Sequence, residues 1–204
     1  TRVHCDKQGQ TALTDGLDAS WQGRWDTLCL HAYHHFTHAA ACDASRQTID
    51  GITAAAVGIY EGIQPEHPTD YGQTHLAAGR GMWGQAVPGS WEISDAEMYA
   101  ILLCLRWVAD TDAPQHARVL IMSDSQTALR DIEHAWRRGR IERTRRGGTA
   151  AMLEEICTIR ANLDRVVFMY SPGHAGLVPN EYADAIAKAH INCAIPNDIT
   201  TRLA

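Results

Sequence analysis

The stretch Ile52–Tyr60, ITAAAVGIY, is almost unbroken in apolar residues, and it constrains the fold more than any other segment. A strand with one wet face alternates apolar and polar residues. A strand without that alternation is covered on both faces, as in sheets layered by helices. A second strand is expected at Ala39–Ala44, and Asp50-Gly51 between the two is a strong hairpin signal. Downstream the period changes. Ser94 is expected to open a helix through a Ser-Asp-Ala-Glu capping box with Glu97 at its third position, and Met98, Ile101, Leu102, Leu105 and Val108 follow at helical spacing. Arg118–Met122 reads as a strand, Ser125 to Trp136 as a helix, Thr149–Leu163 as a helix and Val166–Tyr170 as a strand. A last helix is expected from Pro179, with proline in its first turn, to His190. Residues 61–92, rich in proline and glycine, read as a long loop with one more strand near Thr74–Ala78. Strands first, then alternating helices and strands, give an α/β class with a mixed sheet flanked by helices.

A chain of 204 residues fits one domain plus an arm. Residues 1–36 show no sustained period and are expected to be an N-terminal arm or the connection to an upstream domain. The domain then covers 37–192, and 193–204 form a tail. Thr rather than Met at position 1 suggests a piece of a longer chain. No apolar run approaches the ~18 residues of a membrane span, so no membrane partner is expected. Six cysteines without a C-x-x-C pair argue against structural zinc and for free thiols in an intracellular, reducing setting. A net charge of −6 argues against a generic DNA-coating protein.

Acidic side chains occupy four telling places. Asp43 ends the first strand, Glu97 lies in the first turn of a helix, Asp124 follows the buried run RVLIMS, and Asp184 lies in the last helix. The rim beyond strand ends is where ligand sites gather in such sheets. Carboxylates crowded together repel unless cations compensate them, and hard oxygen ligands suit Mg²⁺. Taken singly, each acid reads equally well as a solvated turn or a cap; the set is what carries information.

Four blocks around these acids resemble type 1 ribonuclease H. They are Asp43-Ala44-Ser45 with AAAVGIY, SDAEMYAILLCL, IMSDSQTAL and SPGHAGLVPNEYADAIAKA, in the family's order over about residues 39–190. The third and fourth are the most specific, and they are most similar to ribonuclease H domains of retroelement (non-LTR type) reverse transcriptases. The resemblance implies a ribonuclease H-like fold with a five-stranded mixed sheet flanked by helices. It also implies hydrolysis of the RNA strand of RNA–DNA hybrids, leaving 5′-phosphates, with two Mg²⁺ ions or Mn²⁺ in their place. Asp43, Glu97, Asp124 and Asp184 match the family's metal-binding acids, with Asp43 as the bridging ligand. His174 matches its mobile-loop histidine, which assists proton transfer or product release. Gln126 matches a contact to the RNA minor groove, and Asn180 a contact to the nucleic-acid backbone. An upstream reverse transcriptase domain is the implied partner. Asp-Ala-Ser stands where the family usually has Asp-Gly-Ser, and the 61–92 stretch is longer than in compact members.

The physical logic agrees. Two divalent ions about 4 Å apart can activate a water and stabilise the leaving oxygen of one phosphate. An imidazole titrating near neutrality suits a proton shuttle. RNA is told from DNA by its 2′-hydroxyl, for which the Gln126 amide offers both donor and acceptor. Trp136 and the cluster Arg137, Arg138, Arg140, Arg143, Arg145 and Arg146 resemble the basic protrusion of some members, and Ser45, Trp136, Arg137, Arg138 and Arg140 are expected to touch nucleic acid. The alternative for the arginines is a solvated helix face. This localised basic patch, with metal at the acids, reconciles an acidic chain with a nucleic-acid partner.

Two other signals are set aside. Gly79, Gly81 and Gly84 spell a G-x-G-x-x-G, but Pro88 rather than a helix follows, and it reads as a loop. His31, His34, His35 and His38 form i, i+4 pairs if helical, without a carboxylate or cysteine to complete a metal site. The rival reading is a non-catalytic ribonuclease H-like module that binds nucleic acid or protein in a larger assembly. A related exonuclease or integrase-like transferase would share the acids but not the fourth block.

Overall fold

A computed structural model describes residues 36–49, 52–63, 81–110, 114–139, 141, 147–173 and 178–194. The elements are β1 His38–Ile49, β2 Ile52–Ile63, β3 Gly81–Val87, α1 Ile93–Ala109, a 3₁₀ turn at Pro114–His116, β4 Arg118–Ser123, α2 Gln126–Arg138, α3 Gly147–Ala161, β5 Arg165–Tyr170 and α4 Val178–Ala194. The sheet has five strands in the order β3-β2-β1-β4-β5. β1, β2 and β3 pair antiparallel, while β4 pairs parallel with β1 and β5. This is the five-stranded mixed sheet with flanking helices expected from the sequence. Among the described residues no helix is long and apolar enough to cross a membrane.

The unbroken apolar character of β2 has the expected cause. Ala55, Val57 and Ile59 face a large core shared with α1, α2, α3 and β4, including Leu105, Ile121, Leu129, Leu153 and Ile156. The opposite face carries Ala54 and Ala56 with Ile191 of α4. That helix comes so close that a Cβ on Gly58 would strike the Ala183 carbonyl and lie 2.6 Å from the Ala187 backbone nitrogen. Alanine spacing on α4 and glycine on β2 therefore bring helix and sheet together as no larger pair would.

Several boundaries differ from expectation. β1 continues to Ile49, so Asp43 lies inside the strand and not at its end. Ile49 pairs with Ile52; the expected turn Asp50-Gly51 lies outside the described residues, as do Thr74–Ala78. The third strand stands at 81–87, within the stretch read as loop, and takes in Gly81 and Gly84 of the G-x-G-x-x-G. α1 starts before Ser94: Glu92 is its N-cap and Asp95 its third residue. Asp95 takes that role because its carboxylate serves two partners, accepting from the Glu92 N–H at 3.4 Å and from Thr149 Oγ1 at 2.6 Å. The second of these ties the start of α3 to the start of α1. Farther along the same helices Arg106 and Glu155 form a two-pronged pair at 2.6 and 2.8 Å. His38 begins β1, with its ring edge-on to Trp107, so it is not in a helical pair with His34. His31, His34 and His35 lie outside the described residues. Cys42 and Cys104 are buried free thiols.

Candidate metal and nucleic-acid site

β1 and β4 run side by side for only five residue pairs, His38↔Val119 to Cys42↔Ser123. Beyond that point β1 continues against β2 alone while the chain leaves β4 for α2. The next residue is an acid on both sides of the pair: Asp43, still within β1, and Asp124, directly after β4. The first turns of α1 bring Glu97 to the same gap. Carboxylate oxygens of Asp43, Glu97 and Asp124 lie within 4.8 Å of one another. Asp43 and Glu97 are buried at 6% and 7% exposure, and Asp124 is half-buried. Local hydrogen bonds hold Asp43 and the strand-to-helix turn that carries Asp124. The Ala44 N–H donates to Asp43 Oδ1 at 2.7 Å. Ser123 Oγ accepts from the Ser125 N–H at 3.1 Å, and Ser125 caps α2 by accepting from the Ala128 N–H at 3.4 Å.

This gap is electrostatically costly. Burial, then the field of Asp124, pushes the Asp43 carboxyl up to about 7, against a weaker opposing pull from the Ala44 N–H. Burial, followed by the charges of Asp43 and Asp124, raises Glu97 well above the carboxylate range. Glu97 Oε2 is buried without a hydrogen-bond partner. Three crowded carboxyls, one with an orphaned oxygen, fit a hard divalent cation bound through oxygen.

Asp184 is placed differently. Its carboxylate accepts from Lys188 Nζ at 2.6 Å, one helical turn along α4. It is outside the group of three, although its charge contributes to the rise at Asp43. Lys188 was missed in the sequence reading, yet its i, i+4 spacing from Asp184 made it legible. Ser45 lies two residues beyond Asp43, on the same face of β1, and is half-buried. Gln126 is the first residue of α2. Trp136, Arg137 and Arg138 lie in its last turn, about 15 Å farther along the axis. Arg160 stacks on the Trp136 ring at 4.4 Å and occupies one of its faces. Arg137 approaches Glu133 at 3.5 Å. Asn180 lies in the first turn of α4, buried, with Oδ1 lacking a partner. His174 and Arg140 lie outside the described residues.

A family model described as RNase H matches residues 37–192. The chain belongs to the RNase H family. Solved structures share the RNase H fold at low identity. RNase H1 from the halophilic archaeon Halobacterium salinarum aligns with a TM-score of 0.53 at 18% identity, over 76% of this chain and 97% of that one. The PFV RNase H domain gives 0.59 at 12%, over 78% and 96%. LC11-RNase H1, solved in complex with RNA/DNA hybrid, gives 0.54 at 15%, over 78% and 99%. No curated protein sequence matches the chain.

Proposed function

We propose that this RNase H chain is a metal-dependent endoribonuclease that cuts the RNA strand of RNA–DNA hybrids and leaves 5′-phosphates. The observation that carries the reading is the meeting of Asp43, Glu97 and Asp124 at the point where β1 and β4 part. In this reading these three acids hold Mg²⁺ or Mn²⁺, and Asp184 joins them once Lys188 is displaced. A bound pair of such ions supplies Lewis acidity at the scissile phosphate and a more acidic water. The chain's own groups do the rest. Asp43 and Glu97 exchange their protons for metal, Ser45 and Gln126 orient the RNA strand, and His174 moves a proton between water and the leaving oxygen.

Other contacts follow from the same reading. Arg137, Arg138 and Arg140 meet backbone phosphates, and Trp136 offers its remaining face and edge to a sugar or base. Asn180, buried as it stands, reaches the nucleic-acid backbone after a small opening at the start of α4. Residues 1–36 connect the domain to a partner such as a reverse transcriptase, in a reducing, intracellular setting. RNA/DNA hybrid is bound in the foamy viral protease-reverse transcriptase structure, of which this chain aligns to 20%. The test is Asp124→Asn, assayed on a hybrid with labelled RNA in Mg²⁺. Cleavage should fall at least about 1000-fold, no less than the loss expected when one member of a catalytic set acting as a unit is removed. Hybrid binding should change less than threefold. Cleavage by the variant at the wild-type rate sinks the assignment.

A further inference from the structure

The turn after β5 packs its main chain directly against the Asp124 carboxylate. β5 is parallel to β4, with Tyr170 opposite Ser123, and the Ser171 N–H donates to the Ser123 carbonyl at 3.0 Å, carrying the register one step past the strand ends. Two residues later Gly173 comes over Asp124. A methyl group at position 173 would lie 2.5 Å from Asp124 Oδ2, 3.6 Å from its Cγ and 3.8 Å from its Cβ. These three nearest atoms all belong to one side chain. A contact of 2.5 Å is far inside the separation that carbon and oxygen tolerate, so something must move. The obstructing atom is the end of a side chain and not main chain, so the clash can be relieved by a change of rotamer at Asp124. Such a change takes the Asp124 carboxylate out of the position in which it stands within 4.8 Å of Asp43 and Glu97.

We propose that Gly173 is a positioning residue for Asp124: the missing side chain leaves the room in which that carboxylate faces the other two acids. This rests on the reading of Asp124 as a metal ligand. A side chain at 173 is then cheap for the fold and costly for the cluster, the reverse of an ordinary glycine substitution.

The full chain carrying Gly173→Ala tests this, with Mn²⁺ alone as the probe. The melting temperature in EDTA should match wild type, while the Mn²⁺ concentration giving half the metal-induced rise in melting temperature should increase at least about tenfold, as for lost support of a metal ligand. If Gly173→Ala does lower the melting temperature in EDTA, adding Asp124→Ala should cancel the loss, since the obstructing carboxylate is gone. Wild-type Mn²⁺ dependence overturns the proposal, and so does an equal loss of melting temperature in both backgrounds. Asp124→Asn separates the two failures. An inactive Asp124→Asn beside a wild-type-like Gly173→Ala removes only the role of Gly173; an active Asp124→Asn removes the site assignment beneath it.

Discussion

Asp43 and Glu97 are acids that hold protons at a pH where acids normally do not. For Asp43 the sign of the consequence is fixed. Its carboxyl titrates near 3.8 when unfolded and at about 7 in the fold. Between those values the folded chain holds a proton that the unfolded chain has lost. Its stabilising contribution is therefore complete below about 4 and is lost as the pH rises towards 7. Glu97 is shifted in the same direction for the same reasons. In EDTA the melting temperature should fall by at least about 3 °C between pH 5 and pH 8, the size of a 1 kcal/mol change in a domain of this length. Saturating Mg²⁺ should abolish the fall; thermal melts across pH with and without metal measure both. At this scale the sequence was legible where an acid stood against a buried apolar run, as at Asp43 and Asp124, although Asp43 lies within its strand and not at its end. It was less so for Asp184: the resemblance puts it among the metal acids, while the structure spends its carboxylate on Lys188. Gly173 was opaque, because what matters there is an absent side chain, measured against a residue 49 positions earlier that follows a different strand.

Between elements, β2 and α4 come close together at Gly58. The obstruction to a Cβ there is backbone on both counts, the Ala183 carbonyl and the Ala187 nitrogen, so no rotamer change can absorb it. Gly58→Ala should cost about 3 kcal/mol, the upper end for overpacking. Urea denaturation measures it, and a loss under about 0.5 kcal/mol would show that the helix yields easily. The same closeness explains why β3 was overlooked. A Cβ on Gly84 would stand 2.6 Å from His190 Nδ1 of α4 and 2.8 Å from the main-chain carbonyl oxygen of Val57 in β2, which cannot swing aside, so the strand needs glycine there. Glycine is a poor strand former, and GMWGQAV therefore reads as loop. The start of α1 was misplaced for a related reason. Ser94 and Glu97 match a capping box, yet Asp95 is drawn into the cap by Thr149, 54 residues away. Glu97 is left free to face the gap. Strands and helices whose pattern is internal were legible; those set by a distant neighbour were not.

For the molecule as a whole, a net charge of −6 makes binding to a polyanion a local matter. Among the described residues the proposed phosphate contacts are Arg137 and Arg138, at the end of α2 away from the acids. Replacing both with alanine should weaken hybrid binding and make the slope of log affinity against log salt shallower by about 1 to 2, the value for one or two lost phosphate contacts. Binding isotherms between 50 and 200 mM salt (about a fourfold range) measure this, and an unchanged slope removes these arginines from the interface.

The arrangement of the central strand also fixes an order of events in time. β1 takes β2, its neighbour in sequence, along one side, whereas its other side waits for β4; the Thr37 hydroxyl finds the Arg118 carbonyl 81 residues on. A contact across so long a stretch forms slowly compared with a hairpin. Asp43 and Asp124 are separated by the same span, with Glu97 between them, so the three acids come together only once β1 and β4 have docked. The unfolded chain and the early hairpin contain no cluster for a divalent ion to prefer. An ion that binds only after docking slows unfolding and leaves the first steps of folding at their own pace.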